Sequence, residues 1–375
     1  MSIELTDEQV SLINEAYRWY NSNTGEQIFQ YSAPAGAGKS TVMHAIIDSL
    51  GLNDTEVAPM AYTGAATTIM RINGFANACT IHSWLYCPVE SYEQDPVTLK
   101  MIKRIKYVYK GVPQSQYKLI CIDEGSMVPY HMKKDILRSG IKILVCGDLN
   151  QLPPVKDKPA FLLDGKIHFL TRIMRQAQGS AIVEFSQRIL RGEPLPPGRY
   201  SDLTIIPENI FKYYEREMIP QMDIVICGLN KTRDYFNKYI REEILGKKGI
   251  IPQFGEKVIC RKNNWDIEVD GVNLTNGLAG TIMNMPDVST YSKGMFKIDF
   301  VPDLFPMIKF ADLPCDFKYF KADNKTRAAM KEFGNPLYRP EGEKFEYSYA
   351  ITTHLSQGSQ FFRGIYIQEF FGGGA

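Results

Sequence analysis

The run Ala33-Pro34-Ala35-Gly36-Ala37-Gly38-Lys39-Ser40-Thr41 lies between a strand-like segment, Ile28-Phe29-Gln30-Tyr31, and a segment in which Val42, Met43, Ile46, Ile47 and Leu50 recur at helical spacing. Strand, glycine-rich turn and helix in that order are the context in which GxxxxGK followed by Ser or Thr cradles phosphate. Gly36, Ala37 and Gly38 allow backbone N–H groups to turn toward phosphate oxygens. The helix opening at Lys39 presents its positive end to an anion. Lys39 would neutralise β- and γ-phosphates, and Ser40, followed by Thr41, would hold Mg²⁺ through its hydroxyl. Ala33 stands where the pattern has its first Gly, which a small residue fills unless φ there must be positive. A small-residue turn that binds nothing is the alternative, and the flanking strand and helix argue against it.

The same alternation continues. Val57 to Tyr62 reads as a strand before a helical Ala65–Ile72; Leu119-Ile120-Cys121-Ile122 runs into Asp123-Glu124, and Ile143-Leu144-Val145-Cys146 into Gly147-Asp148. This predicts an α/β fold with a parallel sheet covered by helices. Ligands of such sheets bind beyond the carboxyl ends of the strands, where the loop, Asp123-Glu124 and Asp148 all fall. Asp123 suits Mg²⁺, and Glu124 suits the water that attacks a phosphoryl group. In Gly147-Asp148-Leu149-Asn150-Gln151-Leu152-Pro153-Pro154-Val155, the Gln151 amide can reach a γ-phosphate while the rigid Pro-Pro segment touches another surface. That arrangement suits a sensor of nucleotide state.

With 375 residues, the chain has room for two domains or one elaborate core. No apolar run reaches the length of a membrane span, and the polar Met1–Gln9 segment has no signal-peptide character, so a cytoplasmic protein without a membrane partner is expected. Seven cysteines without a C-x-x-C pair read as buried reduced thiols rather than a zinc site. A net charge of +1 excludes a uniformly basic surface but not a polarised groove. The cluster Lys100, Lys103, Arg104, Lys106 and Lys110 fits nucleic-acid contact and a solvated helix face equally. Between Cys87 and Tyr117 the alternation breaks, which predicts a small insertion. From Val258 to about Tyr338 the chain is β-rich, aromatic and punctuated by proline.

Taken in order, these motifs resemble superfamily-1 helicases of the B branch, in particular RecD-like and phage Dda-like DNA helicases. Leu5-Thr6-Asp7-Glu8-Gln9 is similar to the adenine-reading Q motif, Ala33–Ser40 to motif I, and Tyr62-Thr63-Gly64-Ala65-Ala66 to motif Ia. Thr80-Ile81-His82-Ser83-Trp84-Leu85 is similar to a segment near the DNA path, Asp123–Ser126 to motif II and Gly147–Val155 to motif III. Leu170–Gln176 is similar to motif IV and Ile351–Ser359 to motif V. The resemblance covers nearly the whole chain. It implies two RecA-like P-loop domains, residues 1–86 with 118–168 and residues 169–262 with 345–375. It also implies a pin-bearing insertion at 87–117, with Tyr107 and Tyr109 as candidates for the pin tip or for packing, and an SH3-like β-rich insertion at 263–344.

The implied activity is ATP-dependent DNA unwinding with 5′-to-3′ translocation on single-stranded DNA, in a monomer using ATP and Mg²⁺. The implied catalytic residues are Lys39, Asp123, Glu124, Gln151 and Arg175, the last meeting the γ-phosphate from the second domain. Gln9 would read adenine, the loop residues and Gly358 would contact nucleotide, and Ser40 with Asp123 would hold the metal. Thr63, Thr80, His82, Thr352, His354 and Asn263 would face DNA, with Trp84 in the core; Asn263-Asn264-Trp265 fits a β-turn equally well. Fork DNA, a single-strand-binding protein and replication or recombination proteins are the implied partners, in a bacterial host if the protein is phage-encoded.

The family pattern ends with motif VI, a Y-x-A-x-T-R segment whose arginine completes the ATP site. Nothing after Gln360 resembles it. An arginine finger is worth roughly 10³–10⁵ in rate. The second expectation is therefore a nucleotide-gated single-stranded-DNA-binding module with little turnover.

Overall fold

The computed structural model describes residues 5–34, 36–94, 101–111, 116–154, 157–171, 180–249, 251–286, 294–322, 326–327 and 342–369. The chain divides into two compact units, Met1–Pro207 and Glu208–Ala375.

Unit 1 opens with helix α1 (Asp7–Tyr20), nucleated by a capping box in which the Thr6 hydroxyl accepts from Gln9 N and Gln9 Oε1 accepts from Thr6 N. Its Leu12, Ala16 and Trp19 are buried. Strand β1 (Ile28–Ser32) leads through the glycine-rich loop into α2 (Lys39–Ser49). Strand β2 (Val57–Ala61), α3 (Gly64–Ile72), β3 (Cys79–Thr80) and α4 (Ile81–Leu85) follow. A ribbon of β4 (Tyr86–Gln94) against β5 (Met101–Tyr109) comes next, then β6 (Leu119–Asp123), α5 (Tyr130–Leu137), β7 (Lys142–Gly147) and β8 (Ile167–Phe169).

The main sheet has the order β3-β2-β6-β7-β1-β8, and each of its pairs is parallel. Buried on both faces, its central strands are continuous apolar runs, as the sequence pattern requires. Helix α6 (Ala181–Leu190) and a two-stranded pair, β9 (Gly198–Arg199) with β10 (Thr204–Ile205), complete unit 1.

The 87–117 insertion is this antiparallel ribbon. Tyr86 pairs with Tyr109 and Pro88 with Tyr107, so both candidate tip tyrosines stand at its base rather than its tip. The Tyr86 hydroxyl donates to Asp135 Oδ2 (2.7 Å), and Arg138 lies over the Tyr109 ring; both contacts anchor the base to α5. The basic cluster from Lys103 to Lys106 lies on strand β5, not on a helix, because β4 supplies a full ladder of partners.

Unit 2 begins with α7 (Glu208–Met218), β11 (Ile224–Cys227) and α8 (Asn230–Tyr239), which continues as a π-helical turn over Ile240–Ile244. Then come β12 (Lys257–Cys260), β13 (Asn264–Val269), β14 (Val272–Leu274), β15 (Ala279–Ile282), β16 (Met295–Pro302), β17 (Phe310–Asp316) and α9 (Phe317–Lys321). The last strands are β18 (Phe345–Tyr347), β19 (Ala350–Thr352) and β20 (Gly364–Ile367). Strands β19-β11-β20 form a parallel sheet, and β17-β16-β15-β12-β18 an antiparallel one around Val258, Phe296, Ile298, Phe300, Phe310 and Phe345. Alternating burial along β16 marks one face as core.

Two expected boundaries shift. The first compact unit runs to Pro207, beyond residue 168, because α6 and the β9–β10 pair fold with it. The antiparallel sheet starts at Lys257 and ends at Tyr347, outside 263–344, because β12 makes ladders with both β15 and β18. Prolines and aromatics mark the loops and core of this sheet but not its first strand. No helix among the described residues is long and apolar enough to cross a membrane.

Two buried ionic contacts tie α8 and its continuation to the antiparallel sheet. Arg241 Nε donates to Glu256 Oε1 (2.8 Å), with the pair 4% and 0% exposed, and the Tyr349 hydroxyl donates to the same carboxylate. Arg233, Arg261 and Arg327 surround Glu346 of β18. Removing one partner of a buried pair strands the other charge. Arg241→Met is therefore expected to destabilise unit 2 by about 3–5 kcal/mol, read as a lower denaturant midpoint, and adding Glu256→Leu should recover most of that loss.

Candidate nucleotide site

The loop after β1 is held from both sides. Ala33 N donates to Gly147 O (2.9 Å) at the end of β7; Ala33 is buried without positive φ, so the departure from Gly carries no strain. Gly38, with φ 81°, caps α2 in the left-handed region, and a Cβ there would come 2.9 Å from Gln9 Nε2. That Gln9 amide donates to Ala37 O (3.2 Å). Gln9 is 4% exposed, with both ends of its amide engaged within the protein. The structure thus places the expected adenine reader under the loop as a brace, because the capping box turns its side chain inward.

Across the sheet, Asp123 ends β6 and Glu124 follows it. Asp123 Oδ1 accepts from Glu124 N (2.8 Å) and from Cys146 Sγ (3.0 Å). Glu124 has φ 52°, a left-handed conformation that costs a non-glycine residue about 1–3 kcal/mol. The chain can turn so sharply because Gly125 follows: a Cβ there would meet Val145 Cγ1 at 2.3 Å and Cys146 O at 3.2 Å. Beyond β7, Asp148 is buried, and its Oδ1 accepts from Asn150 N (2.9 Å) while its carbonyl accepts from Gln151 N (3.1 Å).

These groups share one electrostatic environment. Burial pulls the Lys39 ammonium down, but Glu124, Cys146, Asp123 and Asp148 outweigh it and leave its pKa above the ordinary lysine value. Burial pushes the Glu124 carboxyl up; Lys39 opposes this, Asp123 adds to it, and a hydrogen bond from Gln151 opposes it. Among the described residues, Glu124 Oε2, Gln151 Oε1 and Ser126 Oγ are buried without a hydrogen-bond partner. Buried polar atoms left open at strand ends beside a phosphate-type loop are the arrangement a polar ligand completes. The Ser40 hydroxyl accepts from the Asn73 amide (3.3 Å), a neighbour at the end of α3 that no sequence motif announced.

The residues expected at DNA separate into three settings. Thr63 caps α3 through Ala66 N (3.1 Å). Thr80 is 2% exposed, and its hydroxyl caps α4 through Ser83 N (3.1 Å), so it is not available as a surface contact; the strand-to-helix junction consumes it. His82 is exposed between the rings of Tyr86 (4.8 Å) and Tyr107 (4.6 Å), and Trp84 is in the core as expected. Partial burial, and His131 nearby, hold the His82 imidazole below its ordinary pKa.

In unit 2, Thr352 ends β19, His354 is exposed on the turn Thr353–Ser356, and Gly358 has φ 75°. Asn263 belongs to the antiparallel region, where its Oδ1 accepts from Asn276 N (2.7 Å). Arg175 lies outside the described residues, as does Val155.

A family model described as "AAA domain" matches residues 4–208. The chain is 36% identical over 183 residues to the ATP-dependent DNA helicase Pif1 of Psychrobacter sp. (strain PRwf-1), covering 42% of this chain and 26% of that protein. It is 27% identical over 199 residues to the ATP-dependent RecD2 DNA helicase of Deinococcus radiodurans, covering 50% of this chain and 24% of that one. These matches thus span about a quarter of each relative's length. The crystal structure of Bacteroides Pif1 bound to ssDNA is similar in fold, with a TM-score of 0.54 and 18% identity over 97% of this chain and 86% of that one. Because the family match takes in more than half of the 375 residues, the protein belongs to the AAA-domain family.

Proposed function

We propose that this chain is the motor of an ATP-dependent DNA helicase that hydrolyses ATP and moves 5′-to-3′ along single-stranded DNA, separating strands at forks. The observation that carries this reading is the convergence of Lys39, Asp123, Glu124 and Asp148 at the carboxyl ends of adjacent parallel strands, with Glu124 Oε2 and Gln151 Oε1 unpartnered among the described residues. Lys39 and the backbone N–H groups of Gly36 to Gly38 bind the phosphates. Glu124 takes the proton of the attacking water, and its raised pKa makes it the stronger base. Gln151, hydrogen-bonded to Glu124, orients that carboxylate and senses the γ-phosphate. Ser40 and Asp123 would hold Mg²⁺, which when bound supplies charge neutralisation at the phosphates. Arg175 is the further proposed contact to the γ-phosphate.

Single-stranded DNA is held by phosphate contacts and base stacking. The exposed cluster of His82 and Tyr107 offers stacking faces beside the ribbon, and Thr63, Thr352, His354 and Asn263 are the proposed polar contacts. The ssDNA in the similar Bacteroides Pif1 structure supports that ligand class.

ATP hydrolysis with and without single-stranded DNA tests the reading. Stimulation by DNA that disappears in Lys39→Ala is expected, and a wild-type rate no higher than that of Lys39→Ala under both conditions overturns it. Glu124→Gln should lower turnover by about 10²–10⁴ while retaining nucleotide binding. Because Glu124 works deprotonated and its pKa is raised, activity should fall as pH drops through a value above the ordinary 4.5, and Glu124→Gln should lack that acid limb. Replacing His82 and Tyr107 together by Ala should weaken single-strand binding by about tenfold or more, measured by fluorescence anisotropy, without changing nucleotide affinity in the absence of DNA.

A further inference from the structure

Tyr31, Cys146 and Asp123 form a row across β1, β7 and β6. Tyr31 and Cys146 are direct register partners, and Ile122 pairs with Val145, which brings Asp123 beside Cys146. Neighbouring register positions in parallel strands share a face of the sheet. Tyr31 and Cys146 are both 0% exposed. The Tyr31 hydroxyl donates to Lys39 O (3.0 Å), at the first residue of α2. Beside it on the same face of the sheet, the Cys146 thiol donates to Asp123 Oδ1 (3.0 Å). The same Oδ1 accepts from Glu124 N, so one oxygen of Asp123 carries two donors from the protein.

Resting on the ATPase reading above, we infer that Tyr31 and Cys146 are positioning residues, a buried side-by-side brace in which the Tyr31 hydroxyl fixes the Lys39 end of the phosphate loop and the Cys146 thiol turns one Asp123 oxygen away from the metal. The other oxygen is thereby presented to Mg²⁺ in a single orientation. Neither side chain reaches the nucleotide side; each acts through the residue it holds. Burial keeps both groups in their protonated, donating forms, raising the tyrosine and the thiol well above their ordinary values. Lys39, Asp123, Glu124, Asp148, Cys121 and Tyr31 are the charged and titratable groups that act on this thiol or its partners.

The experiment measures binding of a fluorescent ADP to the full chain as Mg²⁺ is titrated, with Mn²⁺ paramagnetic resonance as a metal readout independent of turnover. The variants are Cys146→Ala, Cys146→Ser, Tyr31→Phe and the double Tyr31→Phe, Cys146→Ala. Loss of an outer partner of a metal ligand typically weakens metal affinity 10–100-fold, so the half-saturating Mg²⁺ should rise roughly tenfold in Cys146→Ala. Cys146→Ser keeps a donor and should return to within about twofold of wild type. Affinity for ADP without metal should be unchanged. Should Cys146→Ala fail to fold, Cys146→Val, which keeps the volume and removes the donor, replaces it, while Tyr31→Phe, which deletes only a hydroxyl, tests the Lys39 half. Variants whose Mg²⁺ curves superimpose on wild type, or a serine variant no better than alanine, overturn the brace and leave the ATPase reading standing. A wild type that binds no nucleotide at any Mg²⁺ concentration overturns both.

Discussion

The constraint on which unit 1 depends is the partial burial of one ammonium among three carboxylates at one end of a parallel sheet. Each charge alone would be costly to remove from water. Lys39, Asp123, Glu124 and Asp148 meet because their strands, β1, β6 and β7, are neighbours, and the crossovers that parallel strands require bring every carboxyl end to the same side. The remaining details serve this grouping: small residues where backbone passes backbone, Gln9 under the loop, and a left-handed turn at Glu124 that swings its carboxylate toward Lys39. Among the described residues, polar atoms of Glu124, Gln151 and Ser126 lack partners, as a grouping built around the proposed nucleotide would leave them.

The strand-turn-helix at the loop and the apolar runs ending in Asp123 and Asp148 were legible in the sequence because both rest on local periodicity and on residue types with narrow chemical uses. What escaped the sequence depends on contacts across the chain. Gln9 carries a motif, yet its burial follows from α1 packing against the loop. Thr80 looks like a polar surface residue, but the strand β3 leads straight into α4, and a helix start claims the nearest hydroxyl. Tyr107 and Tyr109 sit at the ribbon base by virtue of a register that only the pairing with β4 fixes. Cys146 was visible as a buried thiol; its place beside Asp123 required knowing which strand lies next to which.

Unit 2 uses charge differently. Its parallel sheet is small, and much of its apolar core lies in the antiparallel sheet. The two are joined by arginines whose counter-charges, Glu256 and Glu346, are buried. Such pairs are weak as net stabilisers but geometrically exacting, since a guanidinium satisfies its partners in few orientations. A second carboxylate, Glu369 after β20, accepts from Gly228 N (2.6 Å) and Leu229 N (2.8 Å) and from the Thr232 hydroxyl, supplying the cap that α8 lacks from its own side chains. The helix is thus oriented at both ends by groups distant in sequence.

The backbone at Glu124 sets folding and chemistry against each other. A residue at φ 52° would be more comfortable as glycine or asparagine. Laboratory evolution that rewarded heat resistance alone would therefore drift toward those residues at position 124 and enrich sturdy proteins without the carboxylate proposed to serve the water. Only a screen that couples survival to turnover would keep the carboxylate in its unfavourable turn.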